Sequence, residues 1–228
     1  MSRPAALRPP RASRTTVAVR DPEASRARIL DAATAEFARH GFGGARVDRI
    51  AGAAAANKRM LYYYFGNKEA LFRAVLERTY EGIRAAEREL SLADLPPEEG
   101  IRRLVEFTWD YFLRHPEFIR LLNTENLHAA HHLQRSAQIR SMNSPLIATL
   151  RTLLARGRRS GAFRGGVDAL QLYISIAALS YFFLSNSHTL STVFGRDLSS
   201  PAERKARLAH MIDLVLGYLR RPAGRAVR

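Results

Sequence analysis

The chain has 228 residues, no cysteine, and 36 lysines and arginines against 21 aspartates and glutamates, a net charge of +15 at neutral pH. That length suffices for one sizeable core or two small domains. The absence of thiols excludes disulfides and thiolate chemistry, and the positive excess favours a polyanionic partner, either nucleic acid or an anionic membrane surface.

Residues 1–20 carry Arg3, Arg8, Arg11, Arg14 and Arg20, three prolines and no acid. With no periodic apolar face, residues 1–21 read as a disordered basic arm, able to follow phosphates or a minor groove or to be an inert tail. There is no apolar run of the secretory type, so the expected location is cytoplasmic.

From Pro22 to His40, Ile29, Leu30, Ala33 and Phe37 recur at helical spacing, and Gly41 is placed to end that helix in left-handed geometry. Val47–Ala51 reads as a short helix with Val47, Ile50 and Ala51 inward. Gly52–Ala56 can form the tight connection of a helix-turn-helix, whose second helix enters the major groove. That second helix is the stretch from Asn57 to Lys68. Asn57 is a good N-cap, and Leu61 and Phe65 share an inward face. Lys58, Arg59, Tyr62 and Tyr63 are left to project outward, where cations and phenols suit phosphate oxygens and base edges.

From Arg26–Ala33 through Phe37, Gly41, Val47, Ile50–Ala51, Lys58, Leu61–Phe65 and Lys68–Leu71, the chain resembles the DNA-binding domain of TetR-family transcriptional regulators. The match runs from 26 to 76 without a gap. Two positions depart from it: Ala55 stands where the turn usually has glycine, and Tyr64 where histidine is frequent. The resemblance implies that Lys58 and Arg59 read bases or phosphates and that Tyr62, Tyr63 and Tyr64 touch the DNA backbone. Asn57 belongs to the same contact set, and Lys68 and Arg46 add phosphate contacts.

A long helix is expected from Asn67 to about Leu90, with Leu71, Phe72, Val75, Leu76 and Ile83 as its buried stripe, linking residues 22–68 to the rest. After Leu95–Pro96–Pro97 the pattern stays helical. Ile101, Leu104, Val105, Thr108, Trp109 and Phe112 form one face, and His115–Pro116 breaks it. Ser144–Pro145 opens a further helix that Gly161 ends. Asp168 starts an apolar helix to about His188, and Ser200–Glu203 fits a capping box for a last helix carrying Leu208, Met211, Ile212, Val215 and Leu219. No run alternates with period two, so the expected fold class is all-α. A helix-turn-helix domain at 22–68 is followed by a larger helical domain at 69–221, and 222–228 form a basic tail.

The apolar part of 169–184 falls short of the ~20 residues that span a bilayer, which points to a buried or subunit-interface helix and no membrane partner. By resemblance, the helices near 168–188 and 201–220 pair with those of a second subunit. The interface candidates are Phe182, Phe183, Leu208, Met211, Ile212 and Val215. Trp109, Phe118, Asn123, Asn126, His128, Tyr173 and Tyr181 are candidates to line a pocket for a small-molecule effector, with core packing as the alternative for each. Glu125, His128, His131 and His132 have spacing that zinc would accept, against which stands a polar pocket edge or surface; no metal and no cofactor is expected. There is no phosphate loop, nucleophile elbow or paired metal motif, and so no expected catalytic residue. The expected protein is a homodimeric, effector-responsive repressor acting on a near-palindromic double-stranded operator. The alternative is a basic helical protein that coats DNA without sequence preference or lies on membrane surfaces.

Overall fold

The computed structural model describes residues 21–142 and 144–220. The arm at 1–20 and the tail at 222–228 lie outside them. Among the described residues there is no strand, and one isolated bridge joins Phe163 to Arg220.

Helix α1 (Pro22–Gly44) starts where Asp21 accepts a 2.9 Å bond from the Glu23 N–H and Pro22 fills the first turn. Gly41 breaks it, though not in the left-handed helical geometry expected. Its φ of 65° and ψ of 178° lie in a region open essentially to glycine alone. The chain bends there, and Phe42 packs 5.2 Å from Phe72 of α4 (Lys68–Glu89). Helices α2 (Val47–Ala53) and α3 (Lys58–Phe65) complete the first unit. Ile29, Phe37, Ile50, Leu61, Leu71, Phe72 and Val75 fill its core. The turn between α2 and α3 closes with Ala55 itself at a φ of 48°, bearing the left-handed strain a glycine would avoid.

The larger unit contains α5 (Pro97–Arg114), α6 (Pro116–Leu127), α7 (Ala137–Met142), α8 (Ser144–Arg159), α9 (Ala169–Ser185), α10 (Ser187–Phe194) and α11 (Pro201–Leu219). Its core joins α5, α8, α9 and α11 through Leu104, Val105, Trp109, Leu150, Leu153, Phe163, Ile176, Met211 and Val215. Phe163 reaches this core by crossing Gly157, where a Cβ would stand 2.1 Å from its ring.

Two expectations change. The apolar helix does not run to His188. It ends at Ser185, and α10 leaves at 68°, because Asn186 turns its side-chain amide onto the Phe182 carbonyl. No single described helix is long and apolar enough to cross a membrane. The two units are also joined by more than α4: α6 packs along α1, and Leu121 and Ile139 belong to the first unit's core.

Candidate DNA-reading face and effector cavity

Helix α3, the expected reading helix, is held from behind. Asn57 accepts a 2.8 Å bond from the Met60 N–H, while Leu61 and Phe65 are buried. Glu36 of α1 accepts bonds from the Arg46 N–H at 2.9 Å and from Arg49 Nε at 2.7 Å, which sets α2 against α1. Lys58 reaches back to Asp48 of α2 at 2.6 Å.

What remains on the outer face is Arg46, Arg59, Tyr62 and Tyr63, all exposed, Tyr63 at 83%. Arg59 has no hydrogen-bond or ion-pair partner among the described residues. Lys58 can exchange its carboxylate for a phosphate, since both members of that pair are exposed. Two expected contacts are less free. Tyr64 is half-buried, its ring against Tyr63 and Phe65. Lys68 lies with its ammonium 4.9 Å over the Phe42 ring, and its partial burial lowers its pKa, partly offset by Glu36. Asn57 spends its side-chain oxygen on the helix cap.

The helical unit contains a cleft of about 320 Å³ between α4, α5, α6 and α9. It is lined by Tyr80, Ile83, Arg84, Phe112, Phe118, Leu122, Tyr173, Ile174, Ala177, Ala178 and Tyr181. Three of the expected pocket residues, Phe118, Tyr173 and Tyr181, are brought together there. Asn123 stands behind them, accepting the Tyr181 hydroxyl proton and donating to Ser185 at 3.1 Å.

The other three do not line it. Trp109 is only 2% exposed and packs on Phe183 in the α5–α8–α9–α11 core. Asn126 is exposed at the end of α6. His128 caps that end on the Thr124 carbonyl at 2.7 Å and faces Phe42. On an amphipathic helix, spacing does not say which of two buried sides holds the void.

Arg84 is absent from the expected set and proves central. It is 4% exposed, donates from Nη2 to the Tyr173 hydroxyl at 2.7 Å, and stands 2.6 Å from Glu87. Burial pushes the Glu87 carboxyl up to about 7, against the opposing pull of Arg84 and Arg88, and pushes the Tyr80 hydroxyl up to about 12. A signal did exist. Arg84 and Glu87 fall on the inward stripe of α4, continuing Leu76, Tyr80 and Ile83 at helical spacing, where charged residues are rare unless paired.

Residues 29–75 match the family described as bacterial regulatory proteins, tetR family, and residues 97–215 match the tetracyclin repressor-like C-terminal domain. The chain belongs to the TetR family. It is 40% identical over 208 residues to the HTH-type transcriptional repressor NicS of Pseudomonas putida, covering 91% of this chain and 98% of that one. It is 37% identical to the repressor SCO4008 of Streptomyces coelicolor, over 72% of this chain and 80% of that one. Among solved structures, SCO4942 of Streptomyces coelicolor superposes with a TM-score of 0.66 at 27% identity, covering 87% and 99% of the two chains. A TetR-family regulator of Marinobacter aquaeolei shares the fold, with a TM-score of 0.65 at 22% identity over 87% and 96%.

The C-terminal face of this TetR-family chain differs from the expected one in detail. Met211, Ile212 and Val215 are buried in the subunit's own core, at 0%, 7% and 2% exposure, and Leu208 and Phe183 are half-covered. The apolar side chains left in solvent are Leu170, Ile174 and Phe182 on α9, Val193 and Phe194 on α10, and Leu214 and Tyr218 on α11. Both stripes of α11 are apolar, so the sequence pattern does not separate the inner one, with Met211 and Val215, from the outer one, with Leu214 and Tyr218. The four zinc-compatible side chains turn to different partners. Glu125 and His132 bond each other, His128 bonds Thr124, and His131 approaches Glu69 at 3.3 Å.

Proposed function

We propose that the protein is a cytoplasmic, homodimeric transcriptional repressor, not an enzyme, that grips a near-palindromic operator and lets go when a small molecule occupies the cleft. Residues 22–68 form the DNA-binding unit. Residues 69–221 bind the effector and a second copy. Lys58, Arg59, Tyr62 and Tyr63 make the central contacts, with Arg46 and Lys68 on flanking phosphates. The repressor relatives named above support the sign of regulation. The exposed apolar side chains of α9, α10 and α11 support pairing, since clustered apolar groups in water mark interaction surfaces.

One observation carries the switch. Helix α4 is continuous from Lys68, where Asn67 caps it beside the reading helix, to Glu89, and on the way it lines the cleft with Tyr80, Ile83 and Arg84. A ligand that moves α4 therefore moves α3, and with it the separation of the two reading helices of a dimer. That separation must match major grooves about 34–36 Å apart or a multiple of that distance. The ligand can shift the balance only by its preference for the released state. A typical coupling of about 1–3 kcal/mol weakens operator binding roughly 5–150-fold.

The test starts with selection of bound DNA from a random pool, followed by a metabolite screen for release. Calorimetry of a releasing compound with and without operator should give the same factor in both directions. Recovery of DNA with no shared sequence would favour the DNA-coating reading, and a compound that binds free and operator-bound protein equally would remove the switch.

A further inference from the structure

The cleft is lined by one buried cation. Arg84 is 4% exposed and lines the cavity; Nη2 donates to Tyr173, Nη1 is ion-paired with Glu87, and neither Nε nor Nη1 makes an aligned hydrogen bond. Glu87 comes within 2.6 Å, but its near oxygen is likewise without an aligned bond. A buried guanidinium whose ion pair lacks aligned hydrogen bonds gains from an acceptor that meets it squarely. Of the other polar groups lining the cleft, the Tyr181 hydroxyl spends its proton on Asn123, and two hydroxyls remain to donate. The Tyr173 oxygen already accepts from Arg84, which leaves its proton to give. The Tyr80 hydroxyl has no partner among the described residues.

From this we infer that the effector is a one-ring carboxylic acid. Its carboxylate lies on Arg84 with the Tyr173 and Tyr80 hydroxyls beside it, and its ring lies among Phe112, Phe118 and Tyr181. This rests on the reading that the cleft is the effector site. A guanidinium presents its N–H groups as a fork that matches a carboxylate. A phosphate is a poorer fit, because Arg84 is the only cation among the lining residues. The volume, near the lower end of the ~300–1,000 Å³ common for ligand pockets, favours a compact molecule. Glu87 fits the same picture. Its carboxyl is easily neutralised where it stands, so it can yield Arg84 to an incoming anion. Because Arg84 and Tyr173 join α4 to α9, a carboxylate that captures Arg84 acts directly on the helix that carries the reading unit.

The experiment pairs acids with their neutral amides: benzoate, 4-hydroxybenzoate and phenylacetate against benzamide, 4-hydroxybenzamide and phenylacetamide. Binding to the full chain is measured by calorimetry. At least one acid should bind, with its amide at least tenfold weaker. The double variant Arg84→Met/Glu87→Gln removes both charges and leaves neither stranded. It should lose roughly tenfold to a hundredfold for the acid and little for the amide, while melting cooperatively like the parent. Should that variant fail to fold, Arg84→Lys decides. It keeps the charge without the fork, so the acid-to-amide ratio should drop several-fold. Amides that bind as well as acids, an unchanged ratio in the variant that folds, or no acid binding at millimolar concentration would each overturn the inference. Cavity-filling variants Ala177→Phe and Ala178→Phe separate this from failure of the effector site itself. A neutral releasing compound that they block, but the Arg84 variants do not, leaves the site standing without its carboxylate. Release that persists in both filled variants removes the site.

Discussion

Glu125 and His132 are held 2.7 Å apart at the junction of the two units, with almost no access to solvent. Glu125 also accepts the backbone N–H groups of His132 at 2.7 Å and Leu133 at 2.9 Å, and the His132 ring packs 4.8 Å from both Phe42 and Phe72. The loop that permits this turns through Ala129 and Ala130 at positive φ. One carboxylate thus folds the end of α6 onto α1 and α4. Glu125→Ala strands three donors and should cost about 3 kcal/mol or more, since an unmet buried donor costs ~1–3 kcal/mol, while Glu125→Gln should cost clearly less. Urea denaturation followed by circular dichroism measures both. Equal stability of Glu125→Ala and the parent would show that the junction is not held here.

On DNA, Arg59→Ala should cost roughly 1–3 kcal/mol on the operator and relax one base position, because the side chain is exposed and uncommitted. Lys58→Ala should weaken operator and random DNA alike and lower the salt slope by about one unit. Lys68→Ala should do the same and also lower stability slightly, through its contact with Phe42. Titrations at several salt concentrations separate these outcomes. Equal losses on operator and random DNA for Arg59→Ala would remove its base-reading role.

Assembly should depend on the outward apolar stripes. Phe182→Asp or Leu214→Asp should yield folded monomer in sedimentation, since both side chains are about half exposed in the subunit, at 57% and 46%. Val215→Asp should unfold or aggregate the chain instead, because it places a charge in the core. A folded monomer from Val215→Asp, or a parent chain that is monomeric at micromolar concentration, contradicts this assignment.

The Glu87 carboxyl, raised to about 7 in the folded chain, returns to its ordinary 4.5 on unfolding. Between those values the folded state holds a proton that the unfolded state has released. This group's contribution to stability therefore falls as pH rises from about 4.5 to about 7. Glu87→Gln should remove that downward component. Thermal midpoints across this range, parent against variant, give the difference directly, and parallel curves would exclude it.

Ala55 is left-handed in the turn of the reading motif. That conformation costs roughly 1–2 kcal/mol for alanine, whereas glycine loses about 0.4–1 kcal/mol through its looser unfolded chain. Ala55→Gly should therefore stabilise the protein by up to about 1 kcal/mol and leave operator affinity unchanged, as the residue is exposed and carries no donor beyond its backbone. A lower melting temperature would mean that the turn relaxes differently.

Most of the helices, the turn motif and the outward set around Arg59 are legible in the residues alone. Those depend on spacing along a single helix and on caps such as Asn57 and Asn67, which act within a few residues. The sequence also carried the departure at Ala55, whose resolution by a strained φ needed coordinates. Which apolar stripe of α11 faces inward depends on packing, because Met211 and Leu214 are alike in chemistry and differ only in what lies opposite. The same holds for the break at Asn186, where two apolar segments read as one. It holds again for the cleft, where Trp109 fills a core that its residue type could equally have left open. Arg84 was visible as a charge on an inward stripe, but its meaning depends on Tyr173, 89 positions away, and no local pattern connects residues so far apart in the chain.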